Sequence, residues 1–392
     1  MFNIFDLEVA PFEIVQQMQK LQDWTIGDIA RRIRKLGLIT PTASYQLDLL
    51  QELSMFDVDL RTEVQRILGL TESRITDLYT EAIQSKFIYD KAAFLAHGIP
   101  FVPFEKNHFM HRMVDNIITQ TQGDMKNITQ SMGFATKQAG ITVFKPPAQF
   151  YQNQMDLATM KVATGVSTLD QAIKQSVREM VNSGLRTVDY STGHNDRVDV
   201  AARRSVFSGL RNLTNNQSEY NASIINSTVF EISWHGGFRP SHAWGGRRFD
   251  TTGQLYPKEN DLYARFTSPE GKIGTLEDYN CYHIKYSVFP DTPQVFTDHQ
   301  LDQMNNDEQK IRVFEGKAFD QYQARQQQRA IERAMRMSRS RIAGYEGGGL
   351  SAEDIAEAKI LYRQQRRLYK EFSVAMELPT EFNRIYTGLV SG

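Results

Sequence analysis

The 392 residues contain a single cysteine, Cys281. That excludes an intramolecular disulfide framework and suits a reducing compartment. No apolar run approaches the roughly 20 residues needed to span a bilayer. The start, Met1-Phe2-Asn3-Ile4-Phe5-Asp6, lacks the basic-then-apolar order of a secretory signal. Neither sign of charge prevails: 45 Lys and Arg against 46 Asp and Glu leave a net charge of -1. A wholly basic nucleic-acid coat is therefore excluded, although a local basic patch can sit inside a neutral total. There is no Walker A run, and the glycines at 344 and 347–349 do not follow a strand in a βαβ unit. We expect a protein without a membrane partner, assembled in a cytosol.

What is present is mostly helical periodicity. Ile14, Val15, Met18 and Leu21, then Ile26, Ile29, Ile33 and Leu36, recur at three- and four-residue spacing. Thr25 with Asp28 has the spacing of an N-cap and an acidic first turn. A turn at Thr40-Pro41-Thr42 and a helix opening at Thr71 or Ser73 are expected next. The run from His97 to Phe104, with two prolines, must break regular structure. Pro146-Pro147 opens a second helical block, Ser167 with Asp170 suggests a capping box, and Asn182-Ser183-Gly184 a stop. A helix over Asp199 to Leu213 precedes the polar stretch Thr214-Asn215-Asn216-Gln217-Ser218. The sequence then turns β-branched, Gly-rich and aromatic to about Phe296. Helical character returns to the end, with Gly347-Gly348-Gly349 as a flexible break and Ser351 with Asp354 as a cap. The expected fold is mainly α with a small central α+β module. An elongated multi-helix N-terminal region covers 1–215, a His/Cys-containing module covers 216–297, and a basic helical hairpin or pair of arms covers 298–392.

Two constellations carry chemistry. His235, His242, Cys281 and His283 supply four borderline-soft donors, a candidate tetrahedral zinc site. The spacing matches no standard zinc finger, and the competing reading is a small loop-rich core packed around these side chains without metal. A thiol hydrolase built on Cys281 is disfavoured, because Cys281 and His283 lie side by side on a strand and nothing aims His242 at the sulfur. The second constellation is the stripe Arg325, Arg329, Arg333 and Arg336, which shares one helical face. From 310 to 370 the chain has fourteen Lys and Arg against seven Asp and Glu. The stripe is either a solvated face or a contact for DNA phosphates or an acidic protein surface. His108 and His111 form a HxxH pair with no third donor nearby, and we read them as packing or surface residues.

The segment Glu231, His235-Gly236-Gly237-Phe238-Arg239-Pro240-Ser241-His242, Trp244-Gly245, then Asn280-Cys281-Tyr282-His283 and Val288-Phe289-Pro290 resembles the signature of the phage minor capsid protein family. That family is itself distantly similar to the F-type head-morphogenesis proteins of phage Mu. Gly184-Leu185, Tyr190 and Arg197 to Arg204 resemble the helix before the signature, and Gln328 to Arg333 the basic tail. The resemblance implies a non-enzymatic structural protein of a tailed phage head. It implies portal protein or major capsid protein as partners, a place inside the capsid near the portal vertex, and packaged DNA as a further contact. The alternative is a metal-dependent nuclease or hydrolase built on the His/Cys motif.

Overall fold

The structure is a computed structural model that describes residues 9–37, 43–138, 140–189, 192–252 and 281–385. The Thr40-Pro41-Thr42 turn, Tyr190 and Asn280 lie outside the described residues. Nine helices dominate among those described: α1 (Phe12–Leu36), α2 (Ala43–Ala96), α3 (His108–Gln130), α4 (Pro147–Ala163), α5 (Leu169–Ser183), α6 (Val198–Ile225), α7 (Asp298–Glu308), α8 (Gln321–Gly347) and α9 (Ala352–Ala375). The fold is therefore mainly α with a small α+β part. Strands β1 (Met132–Gln138), β2 (Ile141–Lys145), β3 (Arg186–Val188) and β4 (Asn195–Arg197) form one antiparallel sheet in the order β2-β1-β3-β4. A second sheet, β6-β5-β7, joins β5 (Val229–Ile232) to β6 (Arg248–Asp250) and β7 (Lys285–Ser287). A short hairpin, β8 (Arg312–Phe314) with β9 (Lys317–Phe319), precedes α8.

The periodicity read from α1 places Ile14, Met18, Leu21, Ile26, Ile29 and Ile33 in one core with no exposed surface. Thr25 does not cap a helix there. It sits fully buried in mid-helix and donates its hydroxyl to the Leu21 carbonyl at 2.8 Å, the back-bond by which a threonine is tolerated inside a helix. In the same way α2 runs unbroken for 54 residues, roughly 80 Å at 1.5 Å per residue. Thr71 lies within it, bonded back to the Leu68 carbonyl at 2.9 Å, so no new helix opens at Thr71 or Ser73. The cap of α5 falls one residue later than expected. Thr168 and Gln171 exchange the two hydrogen bonds of a capping box. Ser351 caps α9 as the sequence implies, accepting from the Asp354 amide.

Two larger departures shape the site. The helix expected to end at Leu213 continues to Ile225, because its polar stretch is a buried hydrogen-bonding face. Asn215 Oδ1 accepts from the Lys285 amide at 3.2 Å, and Ser218 Oγ donates to the Lys285 carbonyl at 2.6 Å. Gln217 and Asn221 both donate to Asp90 on α2, at 2.9 and 2.6 Å. Gly344, Gly347 and Gly348, on either side of Tyr345, are likewise packed. A Cβ on Gly347 would stand 2.7 Å from the Gly27 Cα, and one on Gly344 would stand 2.6 Å from a Val177 methyl. These glycines bring α8 against α1 and α5, and the chain turns tightly at Gly349 (φ 58) into α9. Helices α8 and α9 then form an antiparallel pair around Ile331, Met335, Tyr362, Tyr369 and Phe372.

Candidate functional site

The site is assembled where the second sheet meets α6 and α8. Glu231 on β5 and Arg248 on β6 form a buried pair at 2.7 Å. Arg248 also donates to the carbonyls of Thr292 and Pro293, and Glu231 accepts from the Val295 amide. This clamp fixes the strands from which the signature loops spring. Ser233 then ties the two halves of the signature together: its amide donates to the Ile284 carbonyl at 2.9 Å and its hydroxyl accepts from the Ile284 amide at 3.0 Å. Gly237 takes a left-handed backbone (φ 66), and a side chain there would collide with Arg325. Its amide donates to Glu308. A 3-10 turn over Pro240–His242 finally rotates His242 inward.

Three donors converge as a result. His242, Cys281 and His283 are all buried, and their ligand atoms lie within 4.8 Å of one another. Cys281 Sγ is 3.6 Å from His283 Nδ1. His235 stands beside this group, its ring centroid 4.5 Å from that of His283, but outside the three-donor set. Trp244 closes the other side, 4.7 Å from the His283 ring. Burial, reinforced by the nearby His235 and His242, holds the His283 pKa well below the usual imidazole range, so the ring is neutral at ordinary pH. His108 and His111 play no part here; His111 packs on Phe104 at 4.2 Å.

His235 and His242 also line a cavity of about 460 Å³ whose lining is rich in arginine. Arg203 and Arg204 come from α6, Arg239 from the signature loop, Arg325, Arg329 and Arg333 from α8, and Arg384 from the segment after α9. Among the described residues, no carboxylate lines it. The stripe expected from spacing thus divides. Arg325, Arg329 and Arg333 reach the cavity. Arg336 turns to Asp199 at 3.5 Å and Glu332 at 3.9 Å. Arg329 is itself held by Glu332 at 2.6 Å and Glu381 at 2.8 Å, and is only 17% exposed. The solvated-face reading therefore fails for Arg329 and Arg336. The guanidiniums crowd one another: burial and the neighbouring Arg329 bring the Arg384 pKa down to about 10, against the opposing pull of Glu332. Burial, with Arg336, Arg186 and Arg333 nearby and Asp199 opposing, lowers Arg197 as well.

Spacing alone missed Arg203, Arg204 and Arg384, which are far from the stripe in sequence. Arg239 could have been found, since it sits between the two histidines of the signature. No single-helix pattern could reveal a basic pocket built from four separate segments.

No curated protein and no solved structure matches the chain. The family model of phage minor capsid protein 2 matches residues 6–373, which takes in the clamp, the His/Cys cluster and all of the basic cavity except Arg384. No described helix is long and apolar enough to cross a membrane. With nearly its whole length covered, the chain belongs to the phage minor capsid protein 2 family and is a structural component of the virion.

Proposed function

We propose that this is a non-enzymatic minor head protein, incorporated during head assembly at the inner capsid near the portal vertex. In this reading the helical surfaces of residues 1–215 and 298–392 bind portal protein or major capsid protein. The 216–297 module and α8 together take phosphates of packaged DNA. The observation that carries the DNA contact is the cavity walled by seven arginines, with no carboxylate among its described lining residues. Arg204, Arg329 and Arg384 are ion-paired behind the wall to Asp196, Glu332 and Glu381, and guanidiniums held in place in this way bind phosphate bidentately.

The test uses Arg239 and Arg333, which line the cavity and form no ion pair with another described residue. Arg239→Glu with Arg333→Glu should weaken DNA retention and reduce the slope of log affinity against log salt by about 2, one for each phosphate left unneutralised. The protein should remain folded and should still co-sediment with empty proheads. Unchanged salt dependence would remove the cavity from DNA binding, and failure of the wild type to join proheads would remove the assembly role. The alternative, a metal-dependent nuclease, is favoured only by the proximity of His242 to both the donor cluster and the basic cavity. DNA cleavage in added metal, abolished by His242→Ala, would support it over the structural reading.

A further inference from the structure

We propose that His242, Cys281 and His283 form a three-ligand site for a zinc ion whose fourth position opens toward the arginine-lined cavity. The inference stands on the cluster's own geometry and does not depend on the head-assembly reading. Two imidazoles and a thiol are a borderline-soft set, which suits zinc and disfavours magnesium and calcium. Zn–S and Zn–N bonds of roughly 2.3 and 2.0–2.1 Å at a tetrahedral angle place sulfur and nitrogen about 3.6 Å apart. Cys281 Sγ and His283 Nδ1 are 3.6 Å apart.

A simple thiol–imidazole hydrogen bond would give a similar distance. It does not account for a third donor, His242, drawn within 4.8 Å of the other two. The donors are also held in place before any ion arrives. His242 sits on the 3-10 turn, and Cys281 and His283 sit on the strand-like segment that Ser233 clamps through Ile284. The direction of the open position follows from His242, the one ligand that also lines the arginine cavity. His235 lies on that side, too far to complete the set, so the fourth ligand is a water or a small anion.

The full-length protein, purified without chelator, should carry about one zinc per chain by elemental analysis, and the chelator-stripped protein should take it back. Cobalt loading should give the visible bands of a four-coordinate tetrahedral ion and a sulfur-to-cobalt charge-transfer band. Added azide should shift those bands by entering the open position. Cys281→Ser should abolish the charge-transfer band, while His235→Ala should keep both metal and spectrum. Wild-type protein that is metal-free and fails to take up zinc or cobalt would overturn the site, with no variant required. Cobalt bound without sulfur charge transfer, or loss of metal in His235→Ala with retention in Cys281→Ser, would overturn the ligand assignment. A spectrum indifferent to azide would overturn the open position.

Discussion

Replacing Arg339 with methionine tests what holds the cavity-bearing helix α8 in place. Arg339 has no exposed side-chain surface and its Nε donates to Asp23 Oδ2 at 2.6 Å, where Asp23 is 4% exposed. Arg339 Nη1 also donates to Gln19 Oε1 at 3.1 Å. Both acceptors belong to α1, so this network fastens α8 to the centre of the main core. Removing one partner of a buried pair costs about 3–5 kcal/mol, because it strands the other charge. Asp23 keeps the Ser340 hydroxyl at 2.5 Å, which returns about 1 kcal/mol of that. Arg339→Met should therefore destabilise by about 3 kcal/mol. The double variant Asp23→Leu with Arg339→Met removes both charges and should lie within about 1–2 kcal/mol of wild type.

The same pair dictates a pH signature. Burial raises the Asp23 pKa from its ordinary 3.8, with Arg339 the main opposing influence. Without Arg339 it rises further. A raised carboxyl pKa destabilises the fold fully above the folded-state pKa, and that destabilisation fades as pH falls and is gone below 3.8, where both states are protonated. The stability gap between Arg339→Met and wild type should thus narrow as pH falls from neutrality. Urea titrations followed by tryptophan fluorescence measure it, with Trp24 next to Asp23 in α1 as a reporter. A cost under about 1 kcal/mol, or a gap that widens on acidification, would refute the account.

Two other variants probe the packing that positions the site. Gly347→Ala places a Cβ against backbone atoms of Gly27, which cannot swing aside, and should cost about 1–3 kcal/mol in thermal or urea unfolding by prising α8 from α1. A stable Gly347→Ala would mean that the helix pair has slack. Asn215→Ala deprives the Lys285 amide of its acceptor and should cost about 1–3 kcal/mol. It should also speed hydrogen exchange in β7, and unchanged exchange there would show that the buried polar face of α6 does not hold that strand.

The order of amino acids was enough to reveal the helical character, the inward face of α1, the break between His97 and Phe104, the start at Pro147, the cap at Ser351 and the family signature. These are local properties, set by side-chain periodicity, backbone restraint at proline and hydrogen bonds spanning three residues. Thr25, Thr71 and the polar stretch from Thr214 mislead such a reading, since a hydroxyl or amide carries the same letter whether it ends a helix or satisfies a buried partner. It takes the packed molecule to show that Asn215 and Ser218 face β7, that the glycines at 344 and 347 are contacts between helices, and that Arg329 and Arg336 answer to Glu332. The site depends on packing in the same way. In the chain the histidines, the cysteine and the stripe are separate features. Folding α6, the signature loops, α8 and the segment around Arg384 against one another joins three donors and seven guanidiniums around adjoining spaces. Spacing along the chain carries no record of that meeting, because the distances that matter are set by packing between segments far apart in sequence.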